Sequence, residues 1–172
     1  MRVCRRLKKR GRMMKAIKIL LVYAIALGLA MPGSCAEVKT KAHIVITSGS
    51  VELKKTDKDK DWIGAKPDMS MTEGYMIKTG KDSSAVVNIK GEPESVSVEL
   101  KENSTLKFTQ LSKEEELGKQ ATLLDLSQGG INIKAKNIDS EKYRFEVKTP
   151  TSVVVMQSGS ASFDITVERV DK

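Results

Sequence analysis

Residues 84–108, SAVVNIKGEPESVSVELKENSTLKF, decide the fold class of this 172-residue chain. Apolar residues alternate with polar ones through three short runs, and Gly91-Glu-Pro93 and Glu102-Asn103 separate the runs. The alternating apolar positions are Ala85, Val87 and Ile89, then Val96, Val98 and Leu100, then Leu106 and Phe108. A period of two residues is typical of β-strands that bury one face, and short turns between strands favour antiparallel pairing.

The same pattern runs outward from this stretch, from His43 to Val167, with turn residues every eight to twelve positions. It predicts an all-β fold of about eleven short, mainly antiparallel strands in a twisted β-sandwich or a solenoid-like arrangement. Ser48-Gly49-Ser50 predicts a hairpin between its two flanking strands. The pattern lapses between Ser112 and Gln120, which predicts either a short helical turn or a charged hairpin loop.

The N-terminal residues 1–36 have the three parts of a secretory signal peptide. Nine Lys and Arg precede the 13-residue apolar run Ile19–Met31, which is too short to cross a bilayer as a helix. Pro32-Gly33 follows, and then the small residues Ser34, Cys35 and Ala36. We therefore predict cleavage between Ala36 and Glu37, with residues 37–172 forming one exported domain in the periplasm or outside the cell.

Three features of this leader leave alternatives open. The segment could remain as an uncleaved anchor. Cys35 follows a small residue and could be acylated, which would tether the protein to the envelope, although Pro32 stands where lipoprotein signals prefer Leu. Translation could also begin at Met13 or Met14. Both cysteines, Cys4 and Cys35, lie in the leader, so a chain that starts at Glu37 has no thiol.

The net charge of +8 belongs to the leader and not to the body of the protein. Residues 37–172 hold 21 Lys and Arg against 22 Asp and Glu. A nearly neutral domain lacks the basic surface that phosphate backbones require. We therefore predict no nucleic-acid partner.

The residues needed for catalysis or metal binding are scarce. His43 is the single histidine, and the sequence has no Gly-x-Ser-x-Gly motif. Asp57-Lys-Asp59-Lys-Asp61 has alternating acids that could chelate calcium, but Trp62 stands at the sixth position, where such a loop needs glycine. We predict a non-enzymatic domain without a cofactor or metal, with His43 on the surface of a strand.

Three segments of the chain resemble the FecR domain family. The first is Asp61-Trp62 with the run Met71–Ala85, MTEGYMIKTGKDSSA. The second is Val98–Phe108, VELKENSTLKF, and the third is Phe145–Val154, FEVKTPTSVV, followed by Gly159–Ile165, GSASFDI. Together they span about residues 44–167, in the order and spacing that the family shows. The resemblance implies an exported all-β domain.

The resemblance also marks a set of family-motif positions, which we expect to serve structure and not ligand contact. Trp62 is expected to plug the core, and Gly80 and Gly159 are expected in turns that need a positive φ. Tyr75, Ser158 and Ser160 depart from the family pattern. The motif positions are Trp62, Gly74, Thr79, Gly80, Ser83, Ala85, Asn103, Thr149, Pro150, Gly159 and Phe163.

Regulators of this family carry a cytoplasmic anti-sigma segment and a membrane helix before the exported domain, whereas only a leader precedes it here. We therefore expect a binding or scaffold domain that recognises a protein or polymer of the cell envelope through a sheet edge or face. Two alternatives stay open: a lipid or glycolipid carrier, and a ligand sensor that acts on a separate signalling protein.

Overall fold

The computed structural model describes residues 37–90, 95–114 and 117–168. The predictions for Cys35 and Ala36 therefore lie outside the described residues, and Glu37 is described only as the first residue of a strand. The described residues form no helix. They therefore contain no helix that could cross a membrane.

Thirteen strands occupy the described residues, two more than the alternation predicts. Three short strands, β1, β4 and β5, have only two or three residues each, too short for a periodic signal, whereas two alternating runs within residues 120–138 form one strand. The strands are β1 (Glu37–Lys39), β2 (Ala42–Ser48), β3 (Val51–Lys54), β4 (Ile63–Gly64), β5 (Ser70–Met71), β6 (Met76–Thr79), β7 (Ser84–Lys90), β8 (Ser95–Leu100), β9 (Thr105–Glu114), β10 (Gln120–Ile138), β11 (Tyr143–Lys148), β12 (Val153–Met156) and β13 (Gly159–Val167).

The strands form one sheet that folds over on itself through the long strand β10. Layer A has the order β4-β3-β6-β9-β10-β11-β12 and uses the first half of β10, residues 120–128; β1 pairs with the end of β9. Layer B has the order β5-β2-β7-β8-β10-β13 and uses the second half, residues 129–138. The all-β prediction is confirmed.

The two layers share one core, as the alternation requires. Every strand of five residues or more turns alternate apolar side chains inward, and these meet in a single buried cluster that includes Val87, Val98, Leu106, Ile133 and Phe145. Two layers that each bury one face must cover each other, because neither could otherwise remove its apolar side from water.

The predicted hairpin at Ser48-Gly49-Ser50 is wrong. β2 pairs with β7 and β5 in layer B, whereas β3 pairs with β6 and β4 in layer A. The turn therefore carries the chain from one layer to the other. Alternation identifies two strands joined by a short turn, but it does not distinguish a hairpin from a corner between layers.

Among the described strands, pairing is antiparallel except between β10 and β11, which run parallel with Gln120 opposite Tyr143. The chain passes along β10 from layer A to layer B and then returns to layer A beside its own starting point. This return is one solenoid-like coil within an otherwise antiparallel fold. Between Ser112 and Gln120, β9 and β10 form a hairpin, so the charged loop and not the helical turn fits the described residues.

Candidate binding surface

Four adjacent corners, among the connections between the two layers, each contain one residue with a positive φ. They are β2–β3 with Gly49 (75°), β6–β7 with Asp82 (53°), β8–β9 with Asn103 (54°), and the middle of β10 with Gly129 (82°). Gly, Asp and Asn are the residues that tolerate this conformation best. The corners lie side by side because the strands that they join are neighbours in both layers.

Hydrogen bonds connect the first two corners. The Ser50 amide donates to Ser83 Oγ at 2.9 Å, and the Gly80 amide donates to the Ser50 carbonyl at 2.9 Å. Ser83 Oγ in turn donates to the Lys81 carbonyl at 2.9 Å. The buried hydroxyl of Ser83 thus replaces backbone pairing where the strands have ended.

The third corner, around Asn103, bonds to both of its neighbours. The Asn103 amide donates to the Gly80 carbonyl at 3.0 Å, and Thr79 Oγ1 accepts from the Ser104 amide at 3.0 Å. Ser104 is fully buried; its Oγ donates to the Gly130 carbonyl and accepts from the Gly130 amide, each at 2.9 Å. Thr79, Gly80, Ser83 and Asn103 therefore hold the corners together.

The expectation of a positive φ is met at Gly159, with φ at 104°, but is wrong at Gly80. Gly80 has no positive φ; the left-handed residue of its corner is Asp82. Space explains the glycine better, since an added Cβ would lie 3.3 Å from the Cβ of Ser50. The close approach of two corners, and not a turn conformation, favours glycine here.

The remaining family-motif positions also have structural surroundings. Gly74, with φ at 90°, donates its amide to the Phe108 carbonyl at 2.7 Å. Thr149 and Pro150 form the turn after β11, where Thr149 Oγ1 accepts from the Ser152 amide at 3.0 Å. Ala85 is fully buried in β7, and Phe163 is half-buried against the core.

Trp62 does not plug the core, so that prediction is wrong. Its indole ring is half-buried on the surface. Lys78 Nζ lies 4.4 Å from the ring centroid and Lys54 Nζ lies 5.8 Å from it, while Lys78 also pairs with Glu52 at 2.6 Å. Ile63, the next residue, lies opposite the buried Leu53, so the alternation puts Trp62 on the outer face of layer A, where Lys54 and Lys78 lie.

Two of the residues that depart from the family pattern, Ser158 and Ser160, have local partners. Ser158 Oγ lies 2.8 Å from Ser140 Oγ, and Ser160 Oγ accepts from the amide of Asn137 at 3.1 Å. Asn137 has φ at 56° and lies in the bulge that shifts the register between β10 and β13. These two serines therefore stabilise the return from layer B to layer A.

The other candidates from the sequence are separated. His43 lies half-exposed in β2, with Nδ1 3.1 Å from Ser70 Oγ. Asp57 pairs with Lys107, whereas Asp59 accepts from the Thr56 amide at 2.9 Å, so these two acids have different partners. No group of metal-binding side chains occurs within the described ranges.

An open depression of about 490 Å³ lies over the start of β10. Ala121 is opposite Ser112 of β9 and opposite Arg144 of β11, so all three project from the outer face of layer A. A hollow of about 70 Å³ shares Gln110, Ala121 and Arg144 with it. Since Ala121 is short, the longer side chains beside it leave a gap, which we call the Ala121 depression. Charged side chains of both signs also line it: Glu114, Lys119, Glu141 and Lys142.

Two electrostatic details belong to the Ala121 depression. Arg144 Nε donates to Glu146 Oε1 at 2.7 Å, and this hydrogen bond, together with the negative charge, raises the pKa of the arginine and keeps it cationic. Gln120 also lines the depression and is only 7% exposed, and its Nε2 has no hydrogen-bond partner among the described residues. Gln120 follows the same alternation as the buried Thr122 and Leu124, so its side chain lies on the inner face of β10 and not beside Ala121.

The sequence did not identify the Ala121 depression. Its lining combines positions more than thirty residues apart, and the parallel register of β10 with β11 brings them together. Gln110, Ala121 and Arg144 belong to no motif and have ordinary polar or small side chains. The short side chain of Ala121 is the one indication in the sequence, and it cannot be interpreted until the neighbouring strands are known.

The fold and the hydrogen-bonded corners define a class of two-layered all-β domain. A family model described as FecR protein matches residues 75–171, more than half of the chain. The chain belongs to the FecR family. No curated protein and no solved structure matches it.

Proposed function

We propose that this protein is an exported, non-enzymatic binding or scaffold domain of the cell envelope, which recognises a protein or polymer partner through the Ala121 depression. The observation that carries the proposal is the depression itself. It lies on the outer face of three neighbouring strands, away from the core and the corners. Strands held by extensive pairing give a binding face a fixed geometry.

The lining favours a partner with hydrogen-bonding groups and charges of both signs. Gln110, whose Nε2 donates to the buried Ser112 Oγ at 3.0 Å, offers the rest of its amide, Arg144 and Lys142 offer positive charge, and Glu141 offers negative charge. Polypeptides and peptide-bearing glycans have this mixture, whereas the acyl chains of a lipid need an apolar lining. The apolar side chains pack in the core, so the lipid-carrier alternative has less support.

Photo-crosslinking in cells tests the partner. A photoreactive amino acid replaces Ala121, and in a control it replaces Ser97, which is also half-exposed on a central strand but lies on the outer face of layer B. We expect adducts from position 121 that are absent from position 97, and mass spectrometry then identifies the partner. Equal labelling from both positions, or none from position 121, would contradict the proposal.

Filling the depression provides a second test. Ala121→Trp replaces the shortest side chain of the lining with a large one on the outer face, and Ser97→Trp is the matched control. We expect Ala121→Trp to weaken binding of the crosslinked partner by about tenfold or more, with little change in unfolding free energy. Equal affinity for the two variants would rule out the depression as the binding face.

Export has its own measurement, the intact mass of the protein recovered from cell envelopes with a free N-terminus. A mass that begins at Glu37 supports cleavage after Ala36. A mass that begins at Cys35 with added acyl groups would make the protein a lipoprotein. Recovery of the full 172-residue mass from the cytoplasm would contradict export.

A further inference from the structure

Two edge strands of layer A, β4 and β12, differ in how they are protected. β4, at one edge, has two residues and follows a loop with charges at Asp57–Asp61. β12, at the other edge, pairs with β11 and with no other described strand. Proteins normally protect such edges with charges, prolines or bulges, because unpaired backbone groups otherwise recruit another strand.

β12 has none of these protections within its length. Val153 is 56% exposed and Val155 is 54% exposed, while Val154 and Met156 turn towards the core. The fifteen residues 149–163 contain no charged side chain, in a chain of which 30% is charged. Depletion of charge around exposed β-branched residues is typical of the centre of a protein interface.

We propose that β12 pairs with β12 of a second copy of this chain, so that the protein forms a two-fold symmetric dimer with layer A continuous across both copies. An antiparallel pair centred on Val154 places Val153 of each copy opposite Val155 of the other. The exposed valines then form one stripe on the outer face. A two-fold symmetric contact needs a surface that is complementary to itself. An uncharged strand whose exposed valines are two residues apart meets this requirement, because each valine then packs against a valine of the other copy.

The charges on the neighbouring strand agree with this register. Glu146 of β11 is opposite Val155, and Lys148 is opposite Val153. In the antiparallel dimer, each row across the outer face runs from Glu146 of one copy through two valines to Lys148 of the other. Both rows therefore end in opposite charges, three strand spacings or about 14 Å apart, and no like charges face each other across the contact.

Sedimentation equilibrium tests the dimer. The protein is produced from its full coding sequence, purified from the envelope through a C-terminal tag, and studied from micromolar to submillimolar concentration. V155K introduces a charge into the stripe, and I46K is the control, because Ile46 is equally exposed at 54% but lies on β2. We expect a dimer for the wild type and I46K, and at least a tenfold larger dissociation constant for V155K.

Disulfide trapping tests the register. V153C and V155C, each carrying a different tag, should form a mixed disulfide when combined and oxidised, because opposite residues lie within disulfide distance. V155C alone should crosslink poorly, since its two copies are offset by two positions. A wild-type monomer at every concentration, V155K that dimerises as tightly as I46K, or equal crosslinking in both experiments would overturn the proposal. These outcomes do not involve the Ala121 depression.

Discussion

Substitution of Gly129 separates two effects that usually occur together, backbone strain and steric overlap. Gly129 has φ at 82° in the corner within β10, and Gly118 has φ at 61° in the loop before β10. An added Cβ on Gly129 would lie 2.4 Å from Ser104 Oγ, 2.5 Å from Ser104 Cα and 2.6 Å from the Asn103 carbonyl oxygen. An added Cβ on Gly118 would have no neighbour within 4 Å.

Both alanine variants share the strain of a left-handed backbone, about 1–2 kcal/mol. Gly129→Ala adds overlap with backbone atoms, which cannot rotate away, and overpacking of this kind costs about 1–3 kcal/mol or more. We therefore expect Gly118→Ala to lower the free energy of unfolding by about 1–2 kcal/mol. Gly129→Ala should lower it by about 2–5 kcal/mol, a large share of the stability of a typical domain.

Urea unfolding followed by far-ultraviolet circular dichroism measures both values, and the double variant Gly129→Ala with Ser104→Ala tests the cause. Removing the Ser104 hydroxyl relieves the contact at 2.4 Å but leaves Ser104 Cα and the Asn103 oxygen in place. The second substitution should therefore restore little stability. If the two single variants agree within about 0.5 kcal/mol, or if Ser104→Ala restores the loss, the packing of the corners is not as described.

Two further predictions concern the surface. Trp62→Ala should cost less than about 2 kcal/mol of unfolding free energy, because the ring interacts with Lys54 and Lys78 at the surface; a loss of about 3–5 kcal/mol would indicate a core residue. Two hydrogen bonds lower the pKa of Asp164, the larger effect coming from Lys101 and the smaller from Asn132. The ionised Asp164 therefore stabilises the fold above its unfolded pKa, and this stabilisation is lost as pH falls through the folded pKa. Carbon-detected NMR titration should show the pKa of Asp164 rising in Lys101→Met; an unchanged midpoint would contradict this account.

The sequence predicted the strands in which several apolar residues alternate with polar ones, since burial of one face places an apolar residue at every second position. Val96, Val98 and Leu100 are buried as expected, and so are Tyr143, Phe145 and Val147. The two-residue strands β4 and β5 left no such mark. Trp62 was placed wrongly because large aromatic residues are usually buried, whereas the pairing of Ile63 with the buried Leu53 leaves Trp62 on the outer face.

The candidate binding surfaces could be predicted only in part. The exposed valines of β12 appear in the sequence as an uncharged run, but the same run would suit a buried central strand. Only its pairing with β11 alone makes it an edge. The Ala121 depression was not predictable. It requires the parallel register between β10 and β11, and the chain passes through layer B between these two paired segments.

The sequence by itself determined the fold class, the FecR family and the polar face of each strand, because alternation and motif order are local properties of the chain. The tertiary structure decided which strands are neighbours, which turns are corners and which edge is open. These depend on contacts between residues far apart in the chain, and a short turn such as Ser48-Gly49-Ser50 serves a hairpin and a corner equally well. The buried hydroxyls of Ser83 and Ser104 acquire their role only when the corners lie side by side.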